Sequence, residues 1–445
     1  MSRVNRQVPT PPRPPGGAHL ARPAAQVLAA VLAGFLAMAV VAALGLWAAG
    51  AADLPGGFVN VVAAVVVMAV GGQVELSGDA GALAGTDVEI TAMPLTVTLV
   101  GALVTGYCFL RPLRHHAVAR PGELLGRAAA VVVLWLAALA GLSALAGHDF
   151  PLTFSGGDRI EGLPDIFGLL LDAANPTVGF RTALGPTLLF GLLWILGVLL
   201  IALLVSRRTP LPPRFLRYRE PVRPAASAML LLVLGYVVIG LGTGVVVAAT
   251  QGHAAETLAV LLLGLPNVVW LALGVGIGGA WDGRVDGPFG LPMPPILDAV
   301  LRGPDTSELS TVDLSSLTSY DARAWWLLPV AAVLVLVAAF VAAVRSPARF
   351  RPWQHAVHFA IAFALTMLVV TPITLVEAKV GLSVLGIGDL GGLGGEVVLR
   401  PRVWRTAGLA LLWGAVAGFL GGLLATGVDR HGEVGAGPPP PGRRR

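Results

Sequence analysis

The chain has 445 residues, of which 56% are hydrophobic and only 12% charged, about half the charged share of an ordinary soluble domain. That excludes a soluble enzyme, and a single cysteine, Cys108, excludes an internal disulfide framework. The net charge of +5 has meaning only once the basic residues are placed, because Arg near the ends of apolar runs reads membrane sidedness.

A membrane span needs about 20 mostly apolar residues. Before the first such run, residues 1–23 contain PTPPRPP and read as a disordered cytoplasmic arm. The run that follows is too long for a signal-peptide core, so cleavage is not expected. Eight segments qualify as spans: 24–49, 92–110, 124–146, 183–205, 227–250, 323–344, 354–376 and 406–427. The Pro/Arg-rich stretch 431–445 is read as a second disordered tail.

Two more apolar stretches are harder to place. Gly56–Gly72 is short and bounded by glycine, and Glu256–Ala280 is interrupted by Pro266 and Asn267. The positive-inside rule decides between spanning and returning. If both stretches enter and leave on the outer side, four Arg-rich clusters (1–23, 111–127, 206–224 and 345–353) all fall inside. That arrangement puts 21 of 30 basic residues but 4 of 25 acids on the inner side. It predicts an all-α integral membrane protein with eight spans, two re-entrant or outer-leaflet segments and both termini cytoplasmic. Arg400, Arg402 and Arg405 are the exception, since they fall outside, just before the last span.

The two short stretches share a spacing. Asn60-Val61-Val62 precedes Gly71-Gly72 as Asn267-Val268-Val269 precedes Gly278-Gly279, and each stretch leads through an acidic loop to a span ending in Arg. The last span of each half is matched through Arg181-Thr182-Ala183 and Arg405-Thr406-Ala407. Two parallel repeats are expected, 24–208 and 225–430, joined by the Arg/Pro linker 209–224.

Irregular backbone at membrane depth is tolerated where protein or a water-filled cavity satisfies it. Asn60, Gly71, Gly72, Asn267, Gly278 and Gly279 are therefore the candidate cavity-lining residues. The commoner use of such residues is plainer: Asn capping a short helix and the Gly pair ending it. His355 and His358, at i and i+3, form a conceivable metal pair without a third ligand, and His115-His116 lies in an Arg-rich loop. An interfacial role is expected for both pairs. Arg127, close to the inner end of its span, is expected to snorkel. The sequence WDGRVDG (281–287) lacks the alternating carboxylates and final Glu of a calcium loop and reads as a polar turn. Trp325, Trp326, Trp353 and Trp404 mark an interfacial belt. No catalytic, cofactor-binding or metal-binding residue is assigned and no cofactor is expected. The expected partners are anionic lipid headgroups at the inner Arg loops, with no nucleic acid.

One long stretch is more specific than composition. LPNVVWLALGVGIGGAWDGRVDGPFGLPMPPILDAVLR (265–302), with VGGQVELSG (70–78), MPLTVTLVGALV (93–104), DARAWWLLPVAAVLVLVAAFVAAVRSP (321–347) and GLSVLGIGDL (381–390), resembles the streptophobe family, very hydrophobic membrane proteins of streptomycetes and their relatives. The resemblance implies an actinobacterial plasma membrane and carries over no activity. The duplicated bundle with its paired broken segments is read as a non-enzymatic, transporter- or channel-like protein for a small solute. The alternative is a structural or accessory protein of the envelope.

Overall fold

The computed structural model describes residues 18–53, 57–79, 84–112, 121–151, 177–206, 216–250, 252, 254–285, 300–301, 310–347, 349–384 and 395–427. His115-His116 and Asp286 lie outside them. In the first half the helices are α1 (Ala18–Ala48), α2 (Phe58–Met68), α3 (Leu95–Leu110), α4 (Pro121–Leu145) and α5 (Leu184–Val205). The second half has α6 (Leu216–Thr250), α7 (Ala254–Gly276), α8 (Leu314–Tyr320), α9 (Leu327–Val344), α10 (Pro352–Ile373) and α11 (Val403–Leu424).

Among the described residues eight helices are long and apolar enough to cross a membrane, which makes the chain a polytopic membrane protein. Their outer surfaces carry Leu36, Val133, Leu193, Val238, Val333, Leu365 and Val416, all exposed, an apolar jacket that water would not tolerate. Trp325, Trp326, Trp353 and Trp404 are also exposed at helix ends, where an amphipathic ring suits the lipid–water boundary. The eight include α7 and omit α3, which has only 16 residues; the sequence reading has these two the other way round. At about 1.5 Å per residue α3 is about 24 Å long. It starts beside the strand that ends at Ala92. From there Gly101 meets Met38, Thr105 meets Gly34, and Phe109 lies under the Arg127 guanidinium at the far end. The two ends of α7 behave differently. It begins shortly after α6 stops, and its last turn packs Gly276 on Leu327 and Ala331, where α9 begins.

The sequence reading contains no strands, yet the connections at one end of the bundle build an eight-stranded antiparallel sheet. The strands are β1 (Val74–Asp79), β2 (Ala84–Ala92), β3 (His148–Pro151), β4 (Thr177–Thr182), β5 (Trp281–Val285), β6 (Ser310–Val312), β7 (Val376–Val384) and β8 (Gly395–Pro401). Their order is β3-β4-β1-β2-β7-β8-β5-β6, so the second four strands repeat the order of the first four. The registers repeat as well. Val74 pairs with Thr182, just before α5, and Trp281 pairs with Pro401, just before α11. His148, three residues past α4, pairs with Phe180, and Val376, three residues past α10, pairs with Leu399. The Trp281–Val285 segment expected as a polar turn is thus a strand, with alternate residues buried.

The apolar core divides the same way. One buried cluster, including Val31, Met38, Val67, Val97, Trp135 and Ile195, draws on α1–α5. Another, including Leu232, Leu273, Val335, Phe363 and Ala410, draws on α6, α7 and α9–α11. A third lies at the sheet, where Trp281, Val285, Val312, Leu317, Val397 and Leu399 pack together with Val300 and Leu301. In the second half α10 and α11 meet through glycine: a Cβ on Gly414 would lie 2.7 Å from Ala360 Cα, and one on Gly418 2.8 Å from the His355 carbonyl. Gly414, Gly418 and Gly422 recur every fourth residue, the spacing that lets membrane helices approach backbone to backbone.

Candidate functional site

The two Gly pairs end their helices in the same way. Gly71 N–H donates to Met68 O and Gly72 N–H to Val67 O; Gly278 N–H donates to Val275 O and Gly279 N–H to Gly274 O. With φ of +93° at Gly71 and +91° at Gly278, each is a Schellman motif, in which a left-handed residue lets the last carbonyls find donors. The second glycine of each pair is crowded by a threonine hydroxyl four residues into the next packed helix, Thr187 of α5 beside Gly72 and Thr406 of α11 beside Gly279. The helices therefore correspond through Thr187 and Thr406. This corrects the match of Arg181-Thr182-Ala183 to Arg405-Thr406-Ala407, because Thr182 ends strand β4 whereas Thr406 is already within α11.

Neither Asn caps its own helix. Asn60 Nδ2 donates to Leu145 O at 2.9 Å and Gly147 O at 3.1 Å, holding the carbonyls that α4 leaves open at its C-terminus. Asn267 does the reverse at a helix start: Leu95 N–H donates to its Oδ1 at 3.1 Å, while its Nδ2 donates to Met93 O at 2.9 Å. Thr96 adds a second fastening, donating to Leu261 O and accepting from Leu265 N–H. Asn267 thus ties α7 to the first half of the molecule, whereas Asn60 acts within one half.

Through Gly147 Asn60 adjoins a cleft of about 600 Å³ at the sheet end of the first half, which it does not itself line. Its floor is the end of α4 (Ser143 to Gly147), and its walls are His148 and Asp149 of β3 with Arg181 and Thr182 of β4. Thr182 Oγ1 donates to Ser143 O at 3.1 Å, so in the 2.6 Å contact between the two hydroxyls the proton belongs to Ser143. Arg181 Nη2 stands 3.6 Å from Asp149 Oδ2, and both side chains are largely exposed. The Asp149 carboxylate fits over Gly179, where a Cβ would collide with it. The cleft offers a cation, a carboxylate, an imidazole and hydroxyls, which suits a small charged or zwitterionic solute. Gly71, Gly72, Asn267, Gly278 and Gly279 do not line it.

At the opposite end of the second half, His355 and His358 line a cavity of only about 10 Å³ together with Ser346 and Phe359, room for about one water. Among the described residues no cluster of three His, Cys, Asp or Glu side chains could hold a metal ion.

The arginines just before α11 meet acids of the sheet and of the α8 start. Arg402 makes a side-on fork on Asp282, with Nε at 2.9 Å and 3.0 Å from the two oxygens and Nη2 at 2.6 Å. Arg400 pairs with Glu377, and the charge of Arg405 acts on Asp313. At Asp313 burial opposes ionisation, but the Ser315 hydroxyl, the Ser316 and Ser315 N–H groups and Arg405 outweigh it and hold the carboxyl below its ordinary value. Arg127 differs from all of these. Its Nη1 donates to Gln26 at 3.3 Å and its guanidinium lies 5.8 Å from the Phe109 ring centroid, while Nε and Nη2 are buried without a hydrogen-bond partner. The half-buried side chain thus lies between α1 and α3, with its Nη1 corner at the exposed Gln26 and its other edge turned in.

Comparison with family models, with curated proteins and with solved structures gives no match.

Proposed function

We propose that this polytopic membrane protein is a non-enzymatic structural or accessory component of the cell envelope, a double helical bundle that carries a sheet on the outer face of the plasma membrane. The observation that carries this reading is the sheet. It takes strands from every half-connection at one end, runs unbroken from the first half to the second through β2 and β7, and has its own buried apolar cluster. The segments that suggested a solute path act as fasteners instead, since both Asn amides are bonded to backbone groups of neighbouring helix ends.

In the same proposal α1, α3, α4, α5, α6, α9, α10 and α11 cross the membrane, α2 and α7 enter and leave on the outer side, and both termini are cytoplasmic. Support comes from α7, which starts where α6 ends and finishes against the first turn of α9. The repeated strand order, the repeated registers and the twin Schellman turns support two parallel repeats. Arg400 and Arg402 remain exceptions to the sidedness rule, and each pairs with an acid of the sheet, Glu377 and Asp282. The streptophobe resemblance and an actinobacterial membrane belong to this proposal, as do anionic headgroups at the inner Arg loops.

A small-solute pathway is the second reading, favoured by the cleft between Ser143 and Thr182. Reconstitution separates the two. The purified chain in liposomes should not accelerate efflux of small ions, amino acids or polyols over protein-free vesicles. Acceleration that Arg181→Ala abolishes would favour the pathway and displace the envelope role.

A further inference from the structure

Two arginines in this molecule use the same chemical edge differently. In Arg402 the Nε–Nη2 edge, whose N–H bonds run parallel, grips both oxygens of Asp282. In Arg127 the same edge is buried and unpartnered, and among the described residues the polar contact of the group runs from its other corner, Nη1, to Gln26. The Phe109 ring face softens the charge from one side. Among the described residues no carboxylate forms an ion pair with it. A guanidinium held at the edge of the hydrocarbon without an anion is a strained arrangement, and its planar fork matches a phosphate or carboxylate. Its depth is informative too. Arg127 is six residues into α4 and beside Gln26 of α1, at the bundle end away from the sheet. In the proposed layout a long side chain there reaches the level of lipid phosphates.

We propose that Arg127 is a binding site for a phosphodiester oxyanion, supplied by an anionic phospholipid of the leaflet opposite the sheet. The Nε–Nη2 edge donates two parallel hydrogen bonds to one phosphate, Gln26 fixes the guanidinium plane through Nη1, and Phe109 closes the far side. The lipid is thereby held between α1, α3 and α4, not merely attracted to the Arg loops.

Native mass spectrometry of the full chain, released from phosphatidylglycerol vesicles into mild detergent, tests this. Wild type should retain one phosphatidylglycerol, and Arg127→Gln should lose it, with affinity falling about tenfold or more, as expected for charge-assisted bonds. Arg351→Gln, a change in the basic loop before α10, should retain it. Inorganic phosphate that competes the lipid away at millimolar concentration would make a free anion the occupant and overturn the lipid assignment. Retention by Arg127→Gln equal to wild type would overturn the site. So would a Glu123→Gln variant that, in lipid-free detergent, is as destabilised as Arg127→Gln, because the edge would then be filled from within the chain. Should Arg127→Gln fail to fold, a photoreactive phosphatidylglycerol decides on wild type: labelling should centre on residues 121–130 and the facing turn of α1, and labelling confined to other helices would refute the site.

Discussion

Single residues in this protein act mainly by completing hydrogen bonds at helix ends. At Gly71 and Gly278 the chain turns through positive φ, a region in which an L side chain meets its own backbone at roughly 1–2 kcal/mol. Gly71→Ala and Gly278→Ala should each lower thermal stability in detergent by about that amount. Gly279→Ala should do worse, since its Cβ would lie 2.7 Å from the Gly274 carbonyl. The spacing of these glycines was visible in the sequence, and so was their commoner use in ending a helix. The Asn partners were not, because they lie 85 residues away in one case and more than 170 in the other. Asp313 is a local counterpart: its carboxylate accepts from Ser316 N–H at 2.9 Å and starts α8. Asp313→Ala should cost about 1 kcal/mol at most, read as faster amide exchange through α8. Because the folded carboxyl titrates below its ordinary value, the stability it adds is complete above the usual carboxylate pKa of about 4. It should be lost as pH falls from there through the lowered value, and mildly alkaline conditions should leave it unchanged.

Helices were legible as elements and strands were not, for a physical reason. A run of 20 apolar residues is conspicuous, whereas Val74-Glu75-Leu76-Ser77 and Val376-Glu377-Ala378-Lys379 alternate over only a few residues inside acidic connections. Period-two alternation was the available signal, and the charged positions masked it. α3 was recognised because Met93 and Pro94 extend its apolar run, although the helix itself has 16 residues. The packing of α11 on α10 could also have been read from the recurrence of Gly414, Gly418 and Gly422. Gly418→Val should part these helices and cost about 2 kcal/mol or more, as overpacking in a tight core does. Gly408→Val, on the same helix with open space around it, should be close to neutral. Equal effects at the two sites would mean that the α10–α11 contact is not what holds this half together.

At the scale of the whole molecule, both halves in the proposed layout present their short helix and their strands to one side. The sequence placed this side by its Arg distribution, and the shared strand order and registers fit the same layout. The deciding element is α7, a mostly apolar helix of 23 residues that is long enough to cross. Its two flanks therefore decide the topology. In a Cys108→Ser background, single cysteines at Gly252, just before α7, and at Ser315, beyond β6, are both exposed. Treated with a membrane-impermeant maleimide in intact cells, both should be labelled without lysis, while a cysteine at Ser206, past the end of α5, should be labelled only after it. Labelling of one flank and protection of the other until lysis would make α7 a full crossing and contradict the proposed layout.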